Sequence, residues 1–202
     1  MSYLREAFDV LTFDQAKNVV LSTDTNNPSK FEQETRFLVD SISSQVSLTN
    51  ASTVFDFGCG MGRVAKELIS LYDCNVIGLD ISPSMLLFAK LYTANLNKFH
   101  GVLTYAIPDS IDMAMSIFAL QHTEFPQREI DNIASILKPN GIFVLLNEHK
   151  RFVPDDVDKE NFVVWKDDGF HVHKYVESKL TKVHSTPYVD DVKEIVFYRK
   201  EK

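Results

Sequence analysis

Three glycines at alternate positions follow a short apolar segment that is typical of a buried strand. The segment reads Val54-Phe-Asp-Phe-Gly-Cys-Gly-Met-Gly-Arg63, and helical spacing of apolar residues begins at its end. Glycine permits a sharp turn and lets a ligand lie against bare backbone, while a helix that follows offers unpaired N–H groups to an anion. The pattern predicts a nucleotide-binding turn between a strand and a helix.

The spacing of these glycines distinguishes two kinds of nucleotide site. A dinucleotide fingerprint needs G-x-G-x-x-G, whose glycines admit the pyrophosphate and pack the helix on the strand. Here Gly58, Gly60 and Gly62 alternate, and Arg63 stands next. This spacing disfavours a nicotinamide-dependent dehydrogenase, which is one alternative for such a chain. It favours a nucleoside that carries a compact charged group.

A second chemical signal is the carboxylate of Asp80, at the end of the next predicted strand. It follows the glycines by about 20 residues, the spacing at which an acid accepts hydrogen bonds from ribose hydroxyls in nucleotide sites. We therefore expect the glycine turn and Asp80 to hold one ligand together.

Strands and helices are predicted to alternate around these residues. Strands are expected over residues 51–57, 75–79, 101–105, 111–117 and 142–146, and helices from 31, over 63–71, from 83 to about 95 and over 128–137. Ser82 is the expected N-cap of the third helix, with Pro83 at its first position. The tail predicts a short helix near 176–180, a strand near 183 and a last strand over 192–199. The alternation predicts an α/β fold with a mostly parallel sheet and helices on both faces.

The composition indicates a single globular domain and narrows the class of partner. The chain has 202 residues and a formal net charge of −7. An acidic surface disfavours binding to nucleic acid through charge. The two cysteines, Cys59 and Cys74, are too few for a disulfide scaffold, and the sequence shows neither a signal peptide nor a membrane-spanning run. A cytoplasmic protein without membrane contact is expected, and the oligomeric state is left open.

Four segments, in this order along the chain, resemble the class I S-adenosylmethionine-dependent methyltransferases: Val54–Gly62, Asp80–Leu86, Ser110–His122 and Leu137–Leu145. The resemblance covers residues 31–149. It implies a Rossmann-like, seven-stranded, mostly parallel sheet with helices on both faces and an antiparallel last strand. It also implies one methyltransferase domain over residues 1–202, with a cofactor-binding core at 31–149. Residues 1–30 would then form a possible lid, and residues 150–202 a substrate-side segment with the last strands.

The resemblance also assigns S-adenosylmethionine as cofactor and names the residues around it. Asp56 would face the amino group of its methionyl part, Asp80 would hold the ribose, and Ile81 would flank the adenine. Because residues 103–108 contain no carboxylate, adenine is expected to be read mainly by backbone groups and apolar contacts. The full set of expected cofactor contacts is Asp56, Phe57, Gly58, Gly60, Gly62, Arg63, Asp80, Ile81, Met85, Ser116 and Phe118.

The implied reaction is methyl transfer to an oxygen or nitrogen of a small-molecule acceptor. The segment after the fourth strand lacks an Asn-Pro-Pro or Asp-Pro-Pro run, and no proline-cysteine pair occurs, which disfavours nucleic-acid bases as acceptors. His122 is the first candidate for a general base, because histidine accepts a proton near neutral pH. His171 and His173 are substitutes if the tail folds over the site, and no metal site is expected. A non-catalytic S-adenosylmethionine-binding regulatory or partner subunit is the alternative.

Overall fold

A seven-stranded sheet organises the molecule, and a computed structural model describes residues 4–21, 29–102, 105, 108–148, 152–153, 163–164, 170–188 and 193–202. The strands are β1 (Thr53–Phe57), β2 (Asn75–Leu79), β3 (Phe99–Val102), β4 (Ile111–Ile117), β5 (Leu137–Leu146), β6 (Phe152–Val153), β7 (Val163–Val164), β8 (Thr181–Pro187) and β9 (Glu194–Arg199). The helices are α1 (Phe13–Leu21), α2 (Lys30–Gln45), α3 (Arg63–Tyr72), α4 (Pro83–Tyr92), α5 (Pro126–Ile136) and α6 (Val172–Glu177). Two 3-10 helices cover Arg5–Phe8 and Leu120–His122.

The strand order in the main sheet is β3-β2-β1-β4-β5-β9-β8. Neighbours from β3 to β5 pair in parallel, whereas β9 runs antiparallel to both β5 and β8. β6 and β7 form a separate antiparallel pair. The topology confirms the predicted α/β fold, including the antiparallel last strand. The chain reverses its direction of travel across the sheet between β1 and β4, the position where ligands bind in open α/β sheets.

Helices cover both faces of the sheet, as predicted. On one face α2 and α3 bury apolar side chains such as Leu38 and Leu68 against Met113 and Met115 of β4. On the other face α5 and α6 pack on the alternate side chains of the same strands. Because both faces are covered, the central strands are buried almost throughout, which explains the continuous apolar sequence of β5 after Gly141.

Two helix starts show how local sequence sets the ends of the elements. Ser82 caps α4 by accepting a hydrogen bond from Met85 N at 3.2 Å, with proline at the first position, as predicted. Before α1, Thr12 accepts a hydrogen bond from Gln15 N, and Gln15 Oε1 accepts one from Thr12 N. These reciprocal bonds form a capping box, which fixes the start of α1.

The third and fifth strands differ from their predicted ranges. β3 spans Phe99–Val102 instead of 101–105, with residues 103–104 outside the described residues, and β5 begins at Leu137, the residue expected to end the preceding helix, rather than at 142. Asn140 has φ +66° in this segment, a conformation that asparagine tolerates, and its N–H donates to Lys200 O. Leu137, before this residue, pairs with Ile111 of β4, so β5 extends toward its N-terminal end past Asn140.

No helix among the residues the structure describes is long and apolar enough to cross a membrane. The described part of the tail, α6 with β8 and β9, packs against α5 and extends the sheet past β5. Residues 149–151, 154–162, 165–169 and 189–192 lie outside the described residues, so a part of the substrate-side segment predicted at 150–202 is not placed.

Candidate functional site

A cavity of about 680 Å³ lies at the carboxyl ends of the parallel strands. Its described walls come from the glycine turn, the ends of β2 and β4, the start of α5 and the N-terminal segment. The lining residues used below are Arg5, Phe8, Val20, Asp56, Phe57, Gly58, Cys59, Gly60, Arg63, Asp80, Ile81, Met85, Tyr105, Phe118, Ala119, His122, Arg128 and Glu129. A volume of this size falls within the range of small-molecule and cofactor sites.

The turn after β1 brings backbone to the cavity surface. Gly58, Gly60 and Gly62 all have positive φ, between +53° and +76°. The N–H groups of Gly58 and Cys59 both donate to Leu79 O at the end of β2, at 2.7 and 3.0 Å. A Cβ on Gly58 would overlap the Cβ of Ala119. The turn therefore needs glycine both for its backbone angles and for its approach to the segment after β4.

Asp80 fixes the turn from the neighbouring strand. Its Oδ2 accepts a hydrogen bond from Gly60 N at 2.8 Å, and its Oδ1 accepts one from Ser82 N at 2.9 Å. Burial raises the pKa of Asp80, and these backbone hydrogen bonds oppose that rise. The backbone N–H of Ile81 contributes to the same opposition, so three backbone groups hold a carboxylate that still lines the cavity, where ribose hydroxyls can reach it.

Asp56, at the penultimate position of β1, is a buried carboxyl that faces the cavity. It is 5% exposed, and no described residue donates a hydrogen bond to it. Burial raises the pKa of Asp56 to about 7, with Asp80 adding to the rise and Arg63 opposing it. A buried carboxyl without a hydrogen-bond donor fits a ligand that brings a positive charge.

Arg63, at the first position of α3, lies between Asp56 and helix α2. The guanidinium is 3.4 Å from Glu34 Oε2, and it stacks over the ring of Phe31 at 5.7 Å. Burial lowers the pKa of Arg63, and Glu34 opposes that change. A cation at the start of a helix is unfavourable toward the helix dipole, so the pairing with Glu34 accounts for its position there.

The N-terminal segment closes one side of the cavity. Arg5 and Phe8 of the first 3-10 helix, and Val20 of α1, line the cavity wall. Asp9 Oδ1 accepts a hydrogen bond from Ser82 Oγ at 2.8 Å, and Val10 N donates to Ser84 Oγ at 2.9 Å. The segment is thereby attached to the start of α4, next to Asp80.

Among the predicted histidines, His122 lies at the cavity. Its ring meets the ring of Phe8 edge to face at 5.7 Å between centroids, and its Nε2 is 3.2 Å from Gln121 Nε2. Gln121 Oε1 accepts a hydrogen bond from Glu148 N at 2.6 Å, which orients the amide so that its NH₂ group faces the imidazole. An amide NH₂ only donates, so His122 accepts at Nε2 and carries its proton on Nδ1 in this arrangement.

Four predicted site residues lie outside the described cavity wall. Ser116 is fully buried in β4, and Gly62 faces Ala89 of α4, because strand alternation and the turn direct both into packed regions. His171 precedes α6 and is exposed, and Nδ1 of His173 is 2.9 Å from Tyr198 Oη. Because α6 packs on α5, the described tail does not bring these two histidines to the cavity.

The structure adds to Tyr105, which the sequence places at the edge of the adenine, two residues that sequence reasoning missed, Arg128 and Glu129. Tyr105, after β3, donates a hydrogen bond from its hydroxyl to Glu129 Oε2. Arg128 donates to Glu129 Oε1 from Nε at 3.1 Å and from Nη2 at 2.8 Å. All three line the cavity. The residues belong to segments that are far apart in sequence, so no local pattern linked them. The charged pair at positions 128 and 129 in the first turn of a helix after the fourth strand was the available signal.

This arrangement defines a class of protein. A glycine turn after β1, an acid after β2 and a buried acid in β1 without a hydrogen-bond donor among the described residues surround a cavity at the strand reversal, an arrangement of an α/β domain that fits a nucleoside with a cationic group. The residues present fit S-adenosylmethionine, whose ammonium group suits Asp56 and whose ribose suits Asp80. Among the described residues, no group of three or more His, Cys, Asp or Glu has the arrangement of a metal site.

Comparisons with known proteins agree with this class. A family model described as a methyltransferase domain matches residues 55–145. N-demethylindolmycin N-methyltransferase of Streptomyces griseus is 31% identical over 121 residues, which cover 54% of this chain and 47% of that protein. A sterol 24-C-methyltransferase of Clavispora lusitaniae is 26% identical over 122 residues, which cover 56% and 32%. The chain thus spans less than half the length of these two relatives.

Solved structures show the same fold. N-methyltransferase NodS from Bradyrhizobium japonicum WM9, in complex with S-adenosyl-L-homocysteine, superposes with a TM-score of 0.63 at 18% identity and covers 93% of this chain and 98% of that one. Residues 55–145 of this chain thus match a methyltransferase domain, and its fold is shared with a structure that holds S-adenosyl-L-homocysteine.

Proposed function

We propose that this protein transfers a methyl group from S-adenosylmethionine to an oxygen or nitrogen atom of a small molecule. The observation that carries the proposal is the continuity of the cavity, which joins the carboxylates of Asp56 and Asp80 to the imidazole of His122. The cofactor, when bound, supplies a methyl group on a sulfonium sulfur. The protein's task is then to align the acceptor with that methyl group and to exclude water.

In this proposal each wall of the cavity has a separate task. Asp56 pairs with the ammonium group of the cofactor, and Asp80 accepts the ribose hydroxyls. Phe8 and the rest of the N-terminal segment cover the acceptor side, held to α4 by Asp9. His122 accepts the proton that an O–H or N–H acceptor loses, which requires its Nε2 to turn from Gln121 toward the acceptor.

A small acceptor is supported by the size and cover of the cavity and by the negative charge of the chain. The indolmycin relative is named for methylation of a nitrogen, whereas the sterol relative is named for methylation of a carbon. The family therefore does not fix the acceptor atom. We favour oxygen or nitrogen because a histidine at the cavity suits an acceptor that must lose a proton on methylation.

The test is methyl transfer to a defined panel. Phenols, carboxylic acids and amines are incubated with the protein and methyl-labelled S-adenosylmethionine, and mass spectrometry records S-adenosylhomocysteine and labelled products. We expect labelled product from at least one compound, and none with the Asp80→Ala variant. Tight cofactor binding without any product would instead support a regulatory subunit. Label on a carbon atom, on protein or on RNA would overturn the proposed acceptor class.

A further inference from the structure

Tyr105, Arg128 and Glu129 form a cluster in the cavity wall, and the assignments above give it no part of the cofactor. Tyr105 follows β3, and Glu129 comes from the first turn of α5. Glu129 is buried, with 12% of its side-chain surface exposed. A buried carboxylate must accept hydrogen bonds from its surroundings. Because Glu129 lines the cavity, a bound ligand can supply one of them.

The order of the strands gives the direction in which a bound nucleoside runs. β1, β2 and β3 are neighbours, so their carboxyl ends follow one another along the edge of the sheet. The methionyl part belongs at Asp56 on β1 and the ribose at Asp80 after β2. The base must therefore extend past Ile81 toward the end of β3, where Tyr105 stands.

Counting acceptor positions shows that Glu129 is not saturated by its protein partners. A carboxylate offers about four lone-pair positions. Arg128 occupies two of them on Oε1, through Nε and Nη2, and the hydroxyl of Tyr105 occupies one on Oε2. Among the described contacts one position on Oε2 remains, and it can accept a hydrogen bond from a ligand in the cavity.

The same partners hold the carboxylate in place. The Tyr105 ring packs against Phe55 at 5.5 Å and Phe57 at 6.3 Å between centroids, which fixes its hydroxyl. The planar fork of Arg128 fixes the other oxygen of Glu129. Asp109 is the first acid that follows Tyr105 in the sequence. Its side chain is exposed and pairs with Lys200 at 2.7 Å.

We propose that Glu129 reads the base of the cofactor by accepting a hydrogen bond from the exocyclic 6-amino group of adenine on its remaining Oε2 position. This inference rests on the proposed use of an adenosyl cofactor and adds to it a side chain that selects the base. It replaces the expectation from sequence that adenine recognition relies mainly on backbone groups and apolar contacts. An oxygen at position 6 would face a carboxylate that cannot donate, so a hypoxanthine base is rejected.

The test compares two cofactor products that differ at this position. Calorimetry measures the binding of S-adenosylhomocysteine and of S-inosylhomocysteine to the wild-type protein and to Glu129→Gln. We expect the wild type to prefer the adenosyl compound by roughly 10- to 100-fold, the range of one charge-assisted hydrogen bond. A glutamine can turn its NH₂ group to the 6-oxygen, so the preference should fall to within a few-fold.

Asp109→Asn is the matched control, because it neutralises an acid on the surface near the same strand, and its preference should equal that of the wild type. A wild-type protein without preference, or a Glu129→Gln variant that keeps it, overturns the inference. If the wild type binds neither compound, the cofactor assignment itself fails. A crystal structure of the wild-type protein with S-adenosylhomocysteine decides the matter without a variant: the 6-amino nitrogen must lie within about 3.2 Å of Glu129 Oε2.

Discussion

The carboxylate of Asp80 accepts a hydrogen bond from the backbone N–H of Gly60 at 2.8 Å. This bond joins the end of β2 to the turn that follows β1, so one side chain both shapes the glycine turn and lines the ligand cavity. The two strands are neighbours in the sheet, and the bond fixes the relative position of the two parts of the site.

Replacing Asp80 by alanine should weaken cofactor binding more than the loss of a surface acid does. The variant loses the proposed pair of charge-assisted hydrogen bonds to the ribose, on the order of 2–4 kcal/mol. Calorimetry with S-adenosylhomocysteine measures the effect. Asp73→Ala, which removes an exposed partner of Lys98, is the control and should bind normally. Unchanged affinity in Asp80→Ala would contradict the ribose assignment.

Alanine at Gly58 should destabilise the folded protein. A non-glycine residue at φ +71° costs about 1–2 kcal/mol, and overlap with Ala119 adds about 1–3 kcal/mol. Urea unfolding followed by circular dichroism should show a loss of about 2–5 kcal/mol. Gly101→Ala is the matched control, since its φ is ordinary and its new Cβ meets Leu86 at 3.4 Å. Equal stability of the two variants would show that the turn is not constrained.

Asp56 should make cofactor binding depend on pH. Its pKa of about 7 means that the empty site is mostly protonated at pH 6, whereas an ammonium ligand binds the ionised form. Affinity for S-adenosylhomocysteine should rise about tenfold from pH 6 to pH 8. Asp56→Asn should bind weakly and lose this dependence. A flat profile in the wild-type protein would exclude Asp56 as the group that titrates.

The same carboxyl should lower the stability of the ligand-free protein as pH rises. Its folded-state pKa lies above the ordinary carboxyl value, so between about pH 4 and pH 7 the folded state holds a proton that the unfolded chain releases. The contribution of Asp56 to folding stability is fully present below that window and is lost through it. The difference in melting temperature between wild type and Asp56→Asn, measured across the window, isolates this effect.

His122→Gln tests the assignment of a base. If His122 takes the acceptor proton, the rate at saturating cofactor should fall about 100-fold while cofactor affinity stays normal. His173→Gln is the matched control, because that side chain lies near Tyr198 outside the described cavity wall. A His122→Gln rate within a few-fold of the wild type would assign the rate to alignment of the acceptor alone.

The attachment of the N-terminal segment should control how fast the cofactor leaves. Asp9→Ala removes the acceptor that holds Ser82 Oγ, so the segment should open more often and the dissociation rate of S-adenosylhomocysteine should rise several-fold. Stopped-flow measurement gives this rate. Asp14→Ala, in the first turn of α1, is the control and should leave it unchanged. Identical rates in Asp9→Ala and the wild type would show that the segment does not cover the cofactor.

The parts of the fold that could be predicted are those set by local sequence. The strand before the glycines, the helix begun by Ser82 and the acid after β2 each depend on a pattern within a few residues, and the structure has all three. Glu129 could not be found this way, because its link to Tyr105 exists only once β3 and α5 are placed at one cavity. His173 was considered on the assumption that the tail covers the site, whereas its helix packs on α5.

The position of β9 inside the sheet has a consequence for synthesis of the chain. β9 is the last strand in sequence, yet it lies between β5 and β8 and pairs with both. Until residues 194–199 have left the ribosome, β5 has one unpaired edge and β8 has no neighbouring strand. The nascent chain must carry an open sheet edge until residues 194–199 have emerged, and that interval is when binding by a chaperone would protect it from aggregation.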